Sequence, residues 1–262
     1  MKSIAPAQRN EKNWLLSALS DELYALVTAV SETVPAPYKE ILVVPGRPLE
    51  YVYFPLGGCL SIVTVMKDGS SVEVGTIGWE GMCGVSLLNG IDQVPTRCII
   101  QVEGVVKRIT RKDFDALLAE HGELRALMRL YSQAWIDQVG RAGSCNGVHS
   151  VEQRCARWLL ITHDRVETNE LPLTQEFLGV MLGVRRASVT VAASALQRAG
   201  LISYKRGKIT VLDRAGLEAA SCECYAAMSE AYSRLLPIEP EWIKTRHDVH
   251  ASSVRNRTYA VA

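Results

Sequence analysis

From Leu171 to Leu212 the chain reads LPLTQEFLGVMLGVRRASVTVAASALQRAGLISYKRGKITVL, and its rhythm changes at Gly183, Gly200 and Gly207. Thr174 suits the N-cap of a helix over Gln175–Leu182, because its hydroxyl can satisfy a first-turn amide. Gly183 can supply a turn, a second helix continues to about Ala199, and Gly200 supplies its stop. Leu178, Met181, Val184, Val189, Ala193 and Leu196 fall where two crossing helices would close a small core. ISYK and KITVL then flank Arg206-Gly207 as a hairpin. Helices this short are marginal alone and must pack on something. The pattern is that of a helix-turn-helix carrying a β-hairpin wing.

The chain in front reads differently. Trp14 to Val30 predicts a helix, with Leu15, Leu16, Leu19, Leu23, Leu26 and Val27 returning every three or four residues and Ser20 as an internal N-cap. From Lys39 to Ile109 short β runs follow one another: EILVV, YVYF, CLSIVTV, SVEVGTI, CIIQV and VVKRI. PGRP, LGG, KDGS, GWEGMCG and EG separate them with turn residues. Closely spaced strands without crossover helices predict an antiparallel barrel or sandwich, not a Rossmann sheet. Beyond Arg111 the period is helical. GELRALMRLYSQAWIDQVGRAG aligns Leu124, Met128, Tyr131, Trp135 and Val139 in a stripe, which either covers the roll or meets a twin. The expectation adopted is a dimer seam. Further helices are predicted over Val151–Asp164 and about Arg214–Leu235, before a polar tail expected to be partly disordered.

The fold expected is therefore α+β. Residues 1–115 form a β-roll with an N-terminal helix, 116–147 a long helix with the expected dimer seam, 148–236 the winged helix-turn-helix and 237–262 a tail. Charge divides along the same lines. Through Thr110 there are nine Lys/Arg against eleven Asp/Glu, whereas Leu171–Leu212 holds six basic side chains against Glu176 alone. A compact basic segment in a chain of net charge +1 suggests a nucleic-acid face. No apolar run reaches the roughly 18–20 residues that cross a bilayer, and no secretory apolar region opens the chain. A cytoplasmic protein without membrane contact is expected.

Seven cysteines (Cys59, Cys83, Cys98, Cys145, Cys155, Cys222, Cys224) are scattered and odd in number, so free thiols are expected instead of a disulfide framework. Cys222 and Cys224, two apart, would diverge by about 200° on a helix and make a poor joint metal site. No metal or other cofactor is expected. His121, His149, His163, His247 and His250 show no ligand pattern; the His247/His250 pair has helical spacing in a polar tail.

The whole order resembles the Crp/Fnr superfamily of bacterial transcription regulators, carried by the segment from Leu171 through LDRAGLE, by VEQRCARWLL before it and by GGCLSIVTVMKDGSSVEVGTIGWEGMCG in front. The resemblance spans roughly Trp14 to Leu235. It implies a homodimer binding double-stranded DNA at a palindromic operator, with the second helices in successive major grooves. RNA polymerase is a further candidate partner. Thr174 and Gln175 would meet phosphate at a helix start. Arg185 and Arg186 would enter the groove, beside Ser188 and Thr190, to hold guanine or phosphate. Lys205, Arg206 and Lys208 would neutralise backbone charge.

The sequence also departs from that family. Where members carry a base-reading Glu and Arg, this chain has Ala187 and Val191, so its operator should differ. Cyclic-nucleotide binders present Gly-Glu for the ribose and Arg-Ser for the phosphate. Here Glu80 precedes Gly81 and Arg97 precedes Cys98, so Glu80, Gly81 and Arg97 are pocket candidates but a cyclic nucleotide is not expected. The iron–sulfur cysteine cluster of the oxygen-sensing branch is missing from the front. Two other classes compete. A roll whose output is protein contact would not need the basic wing. A Cys-His hydrolase using Cys83 or Cys145 with His149 lacks an orienting group, so no catalytic residue is expected.

Overall fold

The computed structural model describes residues 12–166 and 168–236. His247, His250 and the polar tail lie outside the described residues. Two short helices, α1 (Trp14–Ser17) and α2 (Asp21–Ala29), open the fold where one helix was expected. Asn13 accepts from the amides of Leu15 and Leu16 to cap α1. Ser20 does not cap α2 with its side chain; its hydroxyl donates to Glu123 instead.

The roll is an antiparallel sheet of β1 (Ser31–Ala36), β2 (Ile41–Val43), β3 (Tyr51–Val65), β4 (Ser71–Ile77) and β5 (Thr96–Thr110). Its order is β1-β5-β3-β4, with β2 also on β5. The expected YVYF and CLSIVTV are one bent strand, and so are CIIQV and VVKRI. The glycines between them are bulges, not turns: the β3–β5 register shifts on both sides of Gly57. A side chain at Gly104 would collide with the Gly57 carbonyl, so the strands approach there as only glycine allows. β1, which the sequence reading missed, tolerates Pro35 because it is an edge strand.

Helix α3 (Arg111–Glu120) leads into α4 (Gly122–Val148), five residues longer than the GELR…RAG pattern suggested. The expected dimer seam is corrected here. Leu124, Met128 and Tyr131 are buried in their own chain's core with Val52, Phe54 and Leu60, and Tyr131 Oη donates to the Met82 carbonyl at 2.8 Å. Trp135 and Val139 are half-buried. The stripe is apolar because it covers the roll. The opposite side of α4 is what faces solvent, with Leu130 and Ile136 exposed.

The C-terminal unit comprises α5 (Val151–His163), β6 (Glu170–Leu171), α6 (Gln175–Leu182), α7 (Arg186–Arg198), β7 (Ile202–Lys205), β8 (Lys208–Val211), α8 (Arg214–Ala220) and α9 (Cys224–Leu235). Ser150 and Gln153 form a reciprocal capping box at the start of α5. The last expected helix is two: α8 ends at Ala220, and Cys222 lies in the connection to α9. The core joins Leu159, Leu178, Val189, Leu196, Ile209 and Leu217 and extends onto Val63 of β3. The outer face of the sheet is thus covered by the C-terminal unit. Buried polar contacts hold it there, among them Trp158 to Glu73, Arg165 to Glu80 and Gln101 to Thr162.

Candidate nucleic-acid interface and sensory pocket

Thr174 Oγ1 accepts the Phe177 amide at 3.1 Å, fixing the start of α6. Gly183 takes φ +61°, and the chain bends by 104° into α7. That bend lies within the range usual for this motif. One side of α7 buries Val189, Ala192, Ala193 and Leu196; the other exposes Arg186, Ala187, Thr190 and Val191. Val191 is 69% exposed.

Arg185 is the N-cap residue of α7 and Arg186 its first helical residue. Neither guanidinium has a hydrogen-bond or ion-pair partner among the described residues, so both are exposed and uncommitted. Thr190 Oγ1 donates to Gln175 Oε1 at 3.0 Å and thereby links the two helices. At the wing tip Arg206 and Gly207 both have positive φ, 51° and 76°, the two-residue turn that matches strand twist. Gln197 accepts the Tyr204 amide at 2.7 Å and fixes the wing against α7.

An open polar groove follows from this geometry, lined by Thr174, Gln175, Glu176, Arg186, Tyr204 and Arg206. Four expected contact residues thus converge. Arg185, Ser188 and Lys205 lie outside the groove lining, and Lys208 is ion-paired with Glu170 at 2.7 Å on the exposed wing. Tyr204 and Gln197 were missed by the sequence reading. A polar residue in a hairpin and one late in a helix give no local signal that the two will meet.

Within the roll lies a second cavity of about 220 Å³, walled by Ile62, Ile77, Met82, Val94 and Cys98 and closed by Trp135 from α4. None of the three pocket candidates lines it. Thr96 and Cys98 face the cavity, and strand alternation turns Arg97 to the other side of β5. Glu80 is buried in an ion pair with Arg165 at 2.5 Å. Gly81 packs so closely on Tyr131 that any side chain there would collide with its ring. The polar groups on the lining are few: Ser86, whose buried Oγ has no partner among the described residues, Thr96, and the thiols of Cys83 and Cys98. The Cys83 contact, together with burial, pushes the Cys98 thiol well up, so it is neutral.

Comparison with known proteins agrees with this architecture. Residues 153–220 match the Crp-like helix-turn-helix domain, and residues 34–121 match the cyclic nucleotide-binding domain. Together the two matches take in more than half of the chain. No curated protein sequence matches. Among solved structures, a Crp/Fnr-family transcriptional regulator from Eubacterium rectale has a TM-score of 0.63 at 20% identity, over 80% of this chain and 98% of that one. FixK2 from Bradyrhizobium japonicum has a TM-score of 0.63 at 16% identity, over 74% and 98%. A CRP-family regulator from Thermus thermophilus has a TM-score of 0.61 at 19% identity, over 72% and 96%. At these identities the structures speak for the fold, and the two family matches, in that order along one chain, speak for descent. The chain belongs to the Crp/Fnr family of DNA-binding transcriptional regulators.

Proposed function

We propose that the chain acts as a homodimer on a palindromic operator, placing α7 in the major groove with Arg186 at a base edge and Arg185 at the phosphate backbone. The observation that carries this reading is the pair of exposed, unpartnered guanidiniums at the start of α7, beside the groove that α6 and the wing complete. Thr174, Gln175 and the free wing cations Lys205 and Arg206 hold phosphates, while Ser188 and Thr190 lie along the same approach. Ala187 and Val191 offer only methyl contacts, so thymine is the base they favour.

The dimer would form through the outward side of α4, where Leu130 and Ile136 are exposed and Gly140, Gly143 and Gly147 leave open space for a second helix. The sensory cavity suits a small apolar molecule and not a cyclic nucleotide, because its lining includes no cation for the phosphate and no carboxylate for the ribose. Nor does the chain act as an enzyme. Glu80 is committed to Arg165, and the cavity lining sets no histidine base beside its thiols. Such a regulator works in the cytoplasm, where its operator lies.

The test is selection of bound DNA from a random pool, followed by measurement of Arg186→Ala on the selected site. A loss of roughly 1–3 kcal/mol with relaxed preference at one position is expected. An unchanged affinity would remove Arg186 from base reading.

A further inference from the structure

The four residues Cys145, His149, Cys222 and Cys224 carry ligand atoms that all lie within 4.8 Å of one another. They come from places far apart in sequence: the last turn of α4, its C-cap, the α8–α9 connection and the first residue of α9. We infer that they form a Cys3His site for a single tetrahedral zinc-type ion, which clamps the hinge between the long helix and the DNA-binding unit.

The spacing fits one ion. Zinc–sulfur bonds of about 2.3 Å place tetrahedral sulfurs about 3.8 Å apart. Cys145 Sγ and Cys222 Sγ stand 3.5 Å apart, and Cys224 Sγ stands 3.7 Å from His149 Nδ1. An iron–sulfur cluster spreads its ligand sulfurs over several irons and needs a wider ring. The break between α8 and α9 is what makes Cys-Glu-Cys usable. On a continuous helix its sulfurs would diverge, whereas Cys222 in the connection and Cys224 on α9 both reach Cys145 and His149.

The surroundings are arranged as a metal site requires. His149 Nε2 faces the Glu223 carboxylate at 3.1–3.2 Å, so the ring donates there and leaves the Nδ1 lone pair toward the thiols. Carboxylate–histidine pairs of this kind fix the tautomer that binds metal. All three cysteines are buried. Arg154 and Arg157 are also buried, lie within electrostatic reach of these sulfurs, and keep Nε atoms without a partner among the described residues. Three thiolates, a neutral imidazole and a divalent ion sum to one negative charge, which these guanidiniums offset. Binding forms three metal–sulfur bonds and one metal–nitrogen bond, and the three thiol protons pass to water.

The location gives the ion a task. His149 and Ser150 are the only residues between α4 and α5. An ion held there joins the N-terminus of α9 to the C-terminus of α4 and sets how the DNA-binding unit leaves the long helix. Metal loading therefore fixes the geometry presented to DNA.

The test uses the full-length protein, reduced and stripped with a chelator. Titration with Co2+ should load one ion per chain and give thiolate-to-cobalt charge transfer with the intense visible bands of tetrahedral cobalt. Zn2+ should displace the cobalt and bleach those bands, and zinc added to the metal-free protein should release the ligand thiol protons. Cys145→Ser, His149→Ala and Cys222→Ser should lose the spectrum, and Cys59→Ser, a buried thiol of β3, should keep it. Glu223→Gln should keep the spectrum but weaken zinc roughly 10- to 100-fold. Wild-type protein with a folded circular-dichroism spectrum and no tetrahedral cobalt would overturn the site. So would an undiminished spectrum in the Cys145→Ser/Cys222→Ser double variant, or a Cys145–Cys222 disulfide in anaerobically purified protein that takes up no metal.

Discussion

Trp158 on α5 donates its indole Nε1–H to Glu73 Oε1 on β4 across 2.7 Å, and Ser61 Oγ donates to the other carboxylate oxygen at 2.5 Å. The carboxyl sits buried between the roll and the DNA-binding unit, and desolvation pushes its pKa up to about 7 against the lowering effect of both donors. A raised folded value means that the folded chain keeps a proton which the unfolded chain releases at lower pH. Stability from this group is complete below the ordinary carboxylate range and is lost as pH rises through about 7. Glu73→Gln should flatten that decline in denaturant midpoint. Hydrogen-exchange protection factors in α5 and α6, corrected for the intrinsic pH dependence of amide exchange, should fall with rising pH in the wild type more than in the variant; parallel profiles would show that Glu73 carries no such linkage.

Arg165 offers a sharper energetic test. Its guanidinium donates to Glu80 at 2.5 and 3.1 Å and to Thr76 Oγ1 at 2.5 Å, with both ionic partners buried. Desolvation opposes the charge on Arg165, while Glu80 holds it above its ordinary value. Removing one member strands the other in a dry interface. Arg165→Met should therefore cost about 3–5 kcal/mol of stability, and adding Glu80→Gln should recover part of it. Urea unfolding of the two variants reads the difference. Equal losses in the single and double variants would mean that the pair is not the origin of the cost.

The winged segment was legible because each of its devices is local: Thr174 caps, Gly183 turns, Gly200 stops and Arg206-Gly207 reverses the chain within a few residues. The long-range arrangements were not. Gly57 and Gly104 read as turns because sequence shows a glycine but not the strand opposite, where the two backbones nearly touch. Leu124, Met128 and Tyr131 read as a seam because an apolar stripe says that a face is covered and not what covers it. Glu80 and Arg97 were matched to a pocket by order along the chain, while strand alternation and the Arg165 ion pair direct them elsewhere. Cys222 and Cys224 were set aside on the geometry of a helix that breaks between them.

The buried stripe changes what a dimer test should mutate. Ile136 is 57% exposed on the outer side of α4, whereas its neighbour Trp135 lines the cavity of the roll and packs over Gly75. Ile136→Glu should yield monomers with the unfolding midpoint of an undimerised chain and an intact cavity. Trp135→Glu should open the cavity to water and destabilise each chain through a buried charge, whatever its partner state. Sedimentation velocity with a thermal melt separates these outcomes. A dimeric Ile136→Glu protein would exclude this face.

The wing cations should differ in what they contribute to DNA affinity. Lys205 has no ion-pair partner among the described residues, whereas Lys208 Nζ is held 2.7 Å from Glu170. A free lysine that neutralises one phosphate releases about 0.9 of a counterion, which appears as a unit step in the dependence of log affinity on log salt. A lysine already facing a carboxylate brings less net charge and must give up that contact to reach phosphate. Lys205→Ala should thus lower the salt slope by about 0.9 per subunit, about 1.8 for the bound dimer, on operator and random DNA alike. Lys208→Ala should lower it by less, and Glu170→Gln should steepen it by freeing Lys208. Equal slopes for the two lysine variants would mean that Glu170 releases its partner when DNA binds, and that the ion pair has no part in setting affinity.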